Sequence, residues 1–469
     1  MSPDSNFPTE RLVDIKNINE KTGDGQAQAI ISSLDRNKLD KDGIAFQSYD
    51  CTSSMSGIFR GCQAMMQNHI DRDIPYIPCT AHRINTTVEH SCEASKTVCT
   101  LFDLMQQLFV FFTSSTKRFD VYREKIKQSD EELLMLRNLS VTRWVAGEES
   151  IREVMSSYEV ILEVLDVLSE PKYDTSTRSK AESFNFLVTL MFMKNVMGKT
   201  KCLTKVVQDI EINVIDAIES LDATITTLEH IRNDSDGLNS QILAAKTVAE
   251  QDGIDPDYEF TKHDRVRKMP RRVDDRPETT VSLDLVDHNR KEFIAVLDAQ
   301  INALRANKEA VTNVLQPALT LLKPPYHDPV DIGQLKQFCN MFPVSIRPDQ
   351  DTLEAEMTTF RCHLQENYRE IVTIRNTLEY LKSHGKTLFP LTRQCFKLLL
   401  TVPVTSASSE RSFSKLKQVK TVIRSVTNQE RLTELLTVAC ERDLTDTIDF
   451  NKLADRWSKL TKRGRLIKI

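Results

Sequence analysis

Ile44-Ala45-Phe46-Gln47-Ser48-Tyr49-Asp50-Cys51-Thr52-Ser53-Ser54-Met55-Ser56-Gly57 is the stretch on which the reading of this chain turns. Ile44–Tyr49 has the composition of a short strand and ends on a carboxylate, Asp50. Met55–Ile70 then reads as a helix and Ile74–Pro78 as a second short strand. Cys79-Thr80-Ala81-His82 follows, and Thr80–Phe112 reads largely as helix. Upstream, residues 10–18 alternate in the manner of a half-buried strand. From Gln26 to Leu39, Ala27, Ala29, Ile30, Ile31 and Leu34 fall mostly on one side of a helix. Any small α/β domain fits this order.

The composition bounds the rest. With 469 residues, 40% of them hydrophobic and 28% charged, the chain can bury a large core and does not have the makeup of a disordered one. Only 12 glycines argue against a Gly-rich phosphate loop or a turn-dense all-β fold. The net charge is −5, whereas constitutive nucleic-acid binders draw their affinity from a basic surplus. Two local basic runs, Lys262–Arg276 and Arg456–Lys468, oppose that total or are simply solvated surface. The N-terminus is polar and acidic and no apolar run has the length of a membrane span, so neither a signal peptide nor a membrane partner is expected. The ten cysteines, which include no Cys-x2-Cys pair, read as reduced thiols rather than as a zinc ribbon.

From about Val160 to Leu322 helix follows helix. The run Val206–Ile215 keeps apolar residues three and four apart, as do Phe293, Val296, Leu297, Ile301 and Leu304. Asn233–Thr280 interrupts them with Asp-Gly, Pro and dense charge, and its later part reads as a long solvated loop. Lys323-Pro324-Pro325 marks a break. Helices are expected from Leu353 to His384 and from Leu391 to near the end.

Each residue with chemistry to offer has a structural alternative. Asp50, at a strand end before a turn, could hold a metal ion or merely shape the turn. Cys79 and His82 could give two zinc ligands, or be a buried thiol and a helix-start imidazole. Trp144, in Val141-Thr142-Arg143-Trp144, could stack on a base or anchor a core. Glu410 follows serines at a helix start, where capping and the helix dipole favour an acid. Leu432, Leu435, Leu436 and Val438 could face a partner or the chain's own core.

Two strings carry a resemblance: Tyr49–Gly57 with Cys79–His82, and Pro403-Val404-Thr405-Ser406-Ala407-Ser408-Ser409-Glu410-Arg411-Ser412-Phe413-Ser414. They resemble the catalytic-core and C-terminal signatures of hAT-family DNA transposases, especially their domesticated relatives, the zinc finger MYM-type protein 1-like proteins. The first is similar to the family block Gly-Gln-x-Tyr-Asp-x-Ala-Ser-Asn-Met-Ser-Gly, with Thr52 for Ala and Ser54 for Asn. The second is similar to Pro-x-x-Ser-Ala-x-x-Glu-Arg-x-Phe-Ser. The resemblance implies that Asp50 and Glu410 are the second and third catalytic carboxylates, which would hold Mg²⁺. It implies that Arg143, Trp144, Cys79 and His82 handle DNA, and that Leu432, Leu435, Leu436 and Val438 serve dimerisation. The family's first Asp has no counterpart, since Asp14 belongs to a later strand of that fold.

The expected fold is therefore α/β with a large all-α part: a truncated RNase H-like core, a helical insertion and C-terminal hAT dimerisation helices. The division is a partial core over 8–150, the insertion over 151–330 with a disordered loop at about 233–280, and a helical return over 331–390. The dimerisation region follows over 391–445, then a basic tail over 446–469. The expected function is that of a transposon-derived protein acting through dimerisation, with itself or related hAT proteins. Its Asp50 and Glu410 would be vestigial, with no required cofactor, and its location nuclear, with the cytoplasm as the alternative. The alternatives are a Mg²⁺-dependent transposase or nuclease, and a DNA-binding repressor.

Overall fold

The structure is a computed structural model, and it describes residues 8–129, 135–136, 144–168, 175–209, 212–263, 284–371, 373–420 and 427–460. It is mostly helical, and its chain divides into two compact units, Met1–Cys79 with Gln316–Ile469, and Thr80–Leu315.

In the first unit the run that decided the reading does form extended backbone. Gln47 N–H donates to the Pro75 carbonyl at 3.0 Å, Ile77 N–H to Gln47 at 2.9 Å and Cys79 N–H to Tyr49 at 3.2 Å. These bonds make a parallel pairing centred on Gln47 and Tyr76, whose neighbour Tyr49 stacks on Tyr76. The buried Gln47 amide donates to the carbonyls of Gln63 and Ile74, both at 3.1 Å, which fixes the crossover between the two runs. Among the described residues, β pairing is confined to this one bridge. The sheet of an RNase H-like core is not part of them.

The crossover holds two helices, Ser53–Ser56 and Cys62–Ile70, in place of the single helix expected over Met55–Ile70. Gly57 to Gly61 turns between them, with Gly61 N–H on the Gly57 carbonyl at 3.0 Å. A Cβ on Gly61 would lie 2.3 Å from the Gly57 nitrogen, so the turn needs glycine there. Helix Gly23–Arg36 packs on Cys62–Ile70 through Ala27, Cys62 and Met66.

Residues 10–18 are not a strand. No strand lies beside them among the described residues, and the Leu12 N–H, Ile15 carbonyl and Asn17 N–H bond instead to side chains of the helix Gln429–Cys440 and the turn after it. Leu12 N–H donates to Glu441 at 2.7 Å, and the Ile15 carbonyl accepts from Gln429 at 2.6 Å and Thr433 at 3.1 Å. Asp14 is held by Ser33 and Arg36 of the first helix.

The C-terminal part of this unit is a helical core around Phe360, Tyr380, Phe389 and Phe396. Arg361, buried among them, donates to the carbonyls of Asp328, Leu321 and Pro329 at 2.7, 2.9 and 3.1 Å. Helix Pro390–Leu400 has no cap of its own from Phe389. Glu356 of the helix Gln350–Asn367 supplies one, accepting from Leu391 and Thr392 N–H.

Among the described residues of the second unit, the regular elements are helices. Its centre is Phe184–Val207, hydrophobic nearly all round, with Leu187, Val188, Leu190, Phe192 and Val196 buried. Phe192 stacks on Phe293 of the helix Leu285–Leu322, where Phe293, Val296, Leu297, Ile301 and Leu304 are all buried as their spacing indicated. The expected helix over Thr80–Phe112 is two, Thr80–Cys92 and Lys96–Thr113, because Ser95 caps the second through Val98 N–H and donates to Glu292 at 2.6 Å.

Two further expectations are corrected here. The Val206–Ile215 run is not continuous: one helix ends at Val207 and Asn213 caps the next, Val214–Asn233, by accepting from Ile215 and Asp216 N–H. The expected loop over 233–280 begins with two helices, Ser235–Gln251 and Pro256–His263. Asp234 caps the first through Gly237 N–H, and Leu238, Ile242, Ala245 and Ala249 bury one face. Of the two Asp-Gly pairs in this stretch, Asp236-Gly237 lies at a helix start, whereas Asp252-Gly253 turns the chain after the helix end, with Gly253 at φ 79°. Residues 264–280 lie outside the described ones.

Candidate functional site

Asp50 ends the first extended run. Its Oδ1 accepts from the Thr52 backbone N–H at 3.1 Å and the Thr52 hydroxyl at 2.6 Å, the arrangement that shapes an Asx-type turn into the helix Ser53–Ser56. One residue back, the Tyr49 carbonyl takes the Cys79 N–H.

Cys79 is fully buried, and its sulfur accepts the Ser406 N–H at 3.2 Å and the Ser406 hydroxyl at 3.1 Å. Ser406 is the N-cap of the helix Ala407–Val419, which carries Glu410 in its first turn. The two strings, far apart in sequence, therefore meet at Cys79. Ser406 makes no side-chain cap bond, its hydroxyl being spent on the sulfur, and the Ala407 N–H goes instead to the Thr405 hydroxyl oxygen at 3.1 Å.

The rim of this junction holds residues that sequence reasoning passed over. Glu10 accepts from the Ser408 hydroxyl and lies 3.8 Å from the Arg411 guanidinium. Burial raises its carboxyl above the ordinary value, against the lowering by Arg411. Arg11 donates to Glu441 at 2.7 Å and to both oxygens of Asp443 at 2.8 Å, and that pairing holds the Asp443 carboxyl below its ordinary value. Residue spacing gives no signal for partners some 430 positions apart.

Among the described residues, no three His, Cys, Asp or Glu side chains are gathered to hold a metal ion. His82 lies on helix Thr80–Cys92 in the second unit, whereas Cys79 closes a run of the first. Trp144 opens the helix Trp144–Ser156, and Arg143 lies outside the described residues.

The four apolar residues assigned to dimerisation divide. On helix Gln429–Cys440, Leu432 and Leu436 are buried within the chain, Leu435 is half-buried and Val438 is 55% exposed. This helix packs against Ala407–Val419, joined by Lys415 Nζ to the Ala439 carbonyl at 2.9 Å. Phe413, on that neighbouring helix, is 57% exposed. The pair thus has an inner face spent on its own packing and apolar side chains left on the outside.

This pair lies in a region of known kind. Residues 360–444 match the hAT family C-terminal dimerisation region. The chain carries that module, and the match supports membership of the hAT family. Two curated proteins are similar over most of the chain: the 52 kDa repressor of the inhibitor of the protein kinase from Mus musculus, 21% identical over 382 residues, and its Homo sapiens counterpart, 21% identical over 383. Each alignment covers 77% of this chain and 47% of the relative, so the chain spans about half the length of the curated relatives it matches.

Proposed function

We propose that this is a transposon-derived protein that works by associating with itself or with related hAT proteins through residues 360–444. The single observation that carries the reading is the match of that region to the hAT dimerisation region, with Leu435, Val438 and Phe413 only partly covered by their own chain. Burying such side chains on association contributes roughly 25 cal/mol per Å² of apolar surface removed from water. A likeness to the zinc finger MYM-type 1-like proteins, an RNase H-like ancestry for the Asp50 segment, a nuclear location and contact with DNA belong to the same proposal. The relatives are named as a repressor, and a part in repression would follow if this chain shares their role. No cofactor is needed for association.

On this reading Asp50 and Glu410 are relics and strand transfer is lost. The test is light scattering on the purified chain, which should give twice the monomer mass. Leu435→Asp and Val438→Asp should shift it toward the monomer, and a protein monomeric at every concentration would refute the proposal.

One observation favours a second reading. Cys79 joins the Asp50 run to the Glu410 helix, as an active nuclease would require. Mg²⁺-dependent nicking of DNA that vanishes in Asp50→Asn would support it, and inactivity of a full-length version would end it.

A further inference from the structure

The helix Phe450–Leu460 follows the region matched to the dimerisation family and lies outside it. Phe450, Leu453 and Trp457 recur at spacings of three and four, which places them on one face. Every residue from Phe450 to Lys459 is exposed, Phe450 by 68% and Leu453 by 49%. Isolated helices shorter than roughly 12–15 residues are marginal in water even when rich in alanine. This one has 11. Burial of its apolar face is what would hold it, and one copy of the chain leaves Phe450 and Leu453 open to water.

Two further observations say what covers that face. The exposed apolar side chains are continuous with the matched region: Val438 and Leu444 lie within it, and Ile448, Phe450 and Leu453 follow. The turn between is tied back to the preceding helix, since the Thr445 hydroxyl donates to the carbonyls of Glu441 at 2.8 Å and Val438 at 3.2 Å. Charge is also complementary. Phe450–Leu460 shows Lys452, Arg456 and Lys459 against the one acid Asp455, whereas Gln429–Cys440 and the turn after it show Glu430, Glu434, Asp446 and the Arg11-paired Asp443 against Arg431 and Arg442. A basic apolar helix on one copy and an acidic surface with Val438 and Leu444 on another match reciprocally.

We infer that Phe450–Leu460 is an arm of the self-association interface, laying its apolar face on the Gln429–Cys440 helix of a second copy. The inference rests on the self-association proposed above and names the element and surface that complete it. Sedimentation equilibrium of the full chain tests it with Phe450→Asp and Leu453→Asp, beside Val438→Asp as a reference. Both arm residues are exposed, so circular dichroism should report an unchanged fold.

The expected result is a dimer dissociation constant raised at least about tenfold by either arm variant. Dimerisation at wild-type strength in both, with Val438→Asp weakened, would overturn the arm while the dimerisation reading stood. A monomeric wild-type chain would overturn both. Wild-type dimerisation combined with loss of binding to phosphatidylserine vesicles would assign the face to a lipid surface instead and overturn the inference.

Discussion

The sulfur of Cys79 and the backbone nitrogen of Ser406 lie 3.2 Å apart, although 327 positions separate the residues in the chain. Through them the extended run that ends in Asp50 is fixed to the helix that begins at Ala407 and bears Glu410. The sulfur accepts both the N–H and the hydroxyl of Ser406.

Cys79→Ala leaves the Ser406 N–H and hydroxyl without their acceptor, whereas Ser406→Ala removes only the hydroxyl and leaves the N–H on the sulfur. Cys79→Ala should lower stability by about 1–2 kcal/mol in urea unfolding, Ser406→Ala should cost less, and the double variant should cost less than the sum of the two. Full additivity would mean that the two residues do not interact.

Arg361 is the second buried dependency. Its guanidinium satisfies three carbonyls where the chain leaves the helix Leu285–Leu322. Arg361→Leu keeps the volume but leaves those acceptors unmet, and should cost about 3 kcal/mol or more in the urea midpoint. A loss within about 0.5 kcal/mol, the range of an ordinary surface substitution, would contradict the role assigned to it.

The N-terminal segment should be released by acid. Arg11 lowers the Asp443 carboxyl below its ordinary 3.8, so the pairing favours the folded arrangement at pH values above that figure. The contribution fades as pH falls through the lowered value. The protection of the Leu12 amide, whose N–H is held by the neighbouring Glu441, measured relative to its intrinsic exchange rate at each pH, should be high at neutral pH and lost near the bottom of that window. Arg11→Ala should lower that protection at neutral pH as well. Because the pair is exposed, added salt should weaken it.

Helical patterning was legible because it is local. Phe293, Val296, Leu297, Ile301 and Leu304 bury one face as their spacing indicates, and the break after Leu322 coincides with Pro324-Pro325. Local misreadings came from side chains that end or start helices: Asn213 and Asp234 are caps, and both sit inside stretches whose wider pattern argued otherwise. Residues 10–18 alternate like a strand, yet alternation cannot say whether another strand lies alongside. In this fold helix side chains take that place. The two strings were legible one at a time. Their connection through Cys79, and the rim of Glu10, Arg11 and Arg411, depend on contacts that no spacing encodes.

Helix Gln429–Cys440 separates fold from association most directly. Leu436, fully buried, should cost about 2–5 kcal/mol of stability when changed to Ala. Val438, mostly exposed, should tolerate change to Asp with its urea midpoint within about 0.5 kcal/mol of wild type. The decisive measurement is the mass of wild type and Val438→Asp by sedimentation equilibrium over a concentration series. The account predicts a reversible dimer for the wild type and a weakened one for the variant at unchanged fold. A wild-type chain that stays monomeric throughout, or a variant that pairs as tightly as wild type, would contradict it.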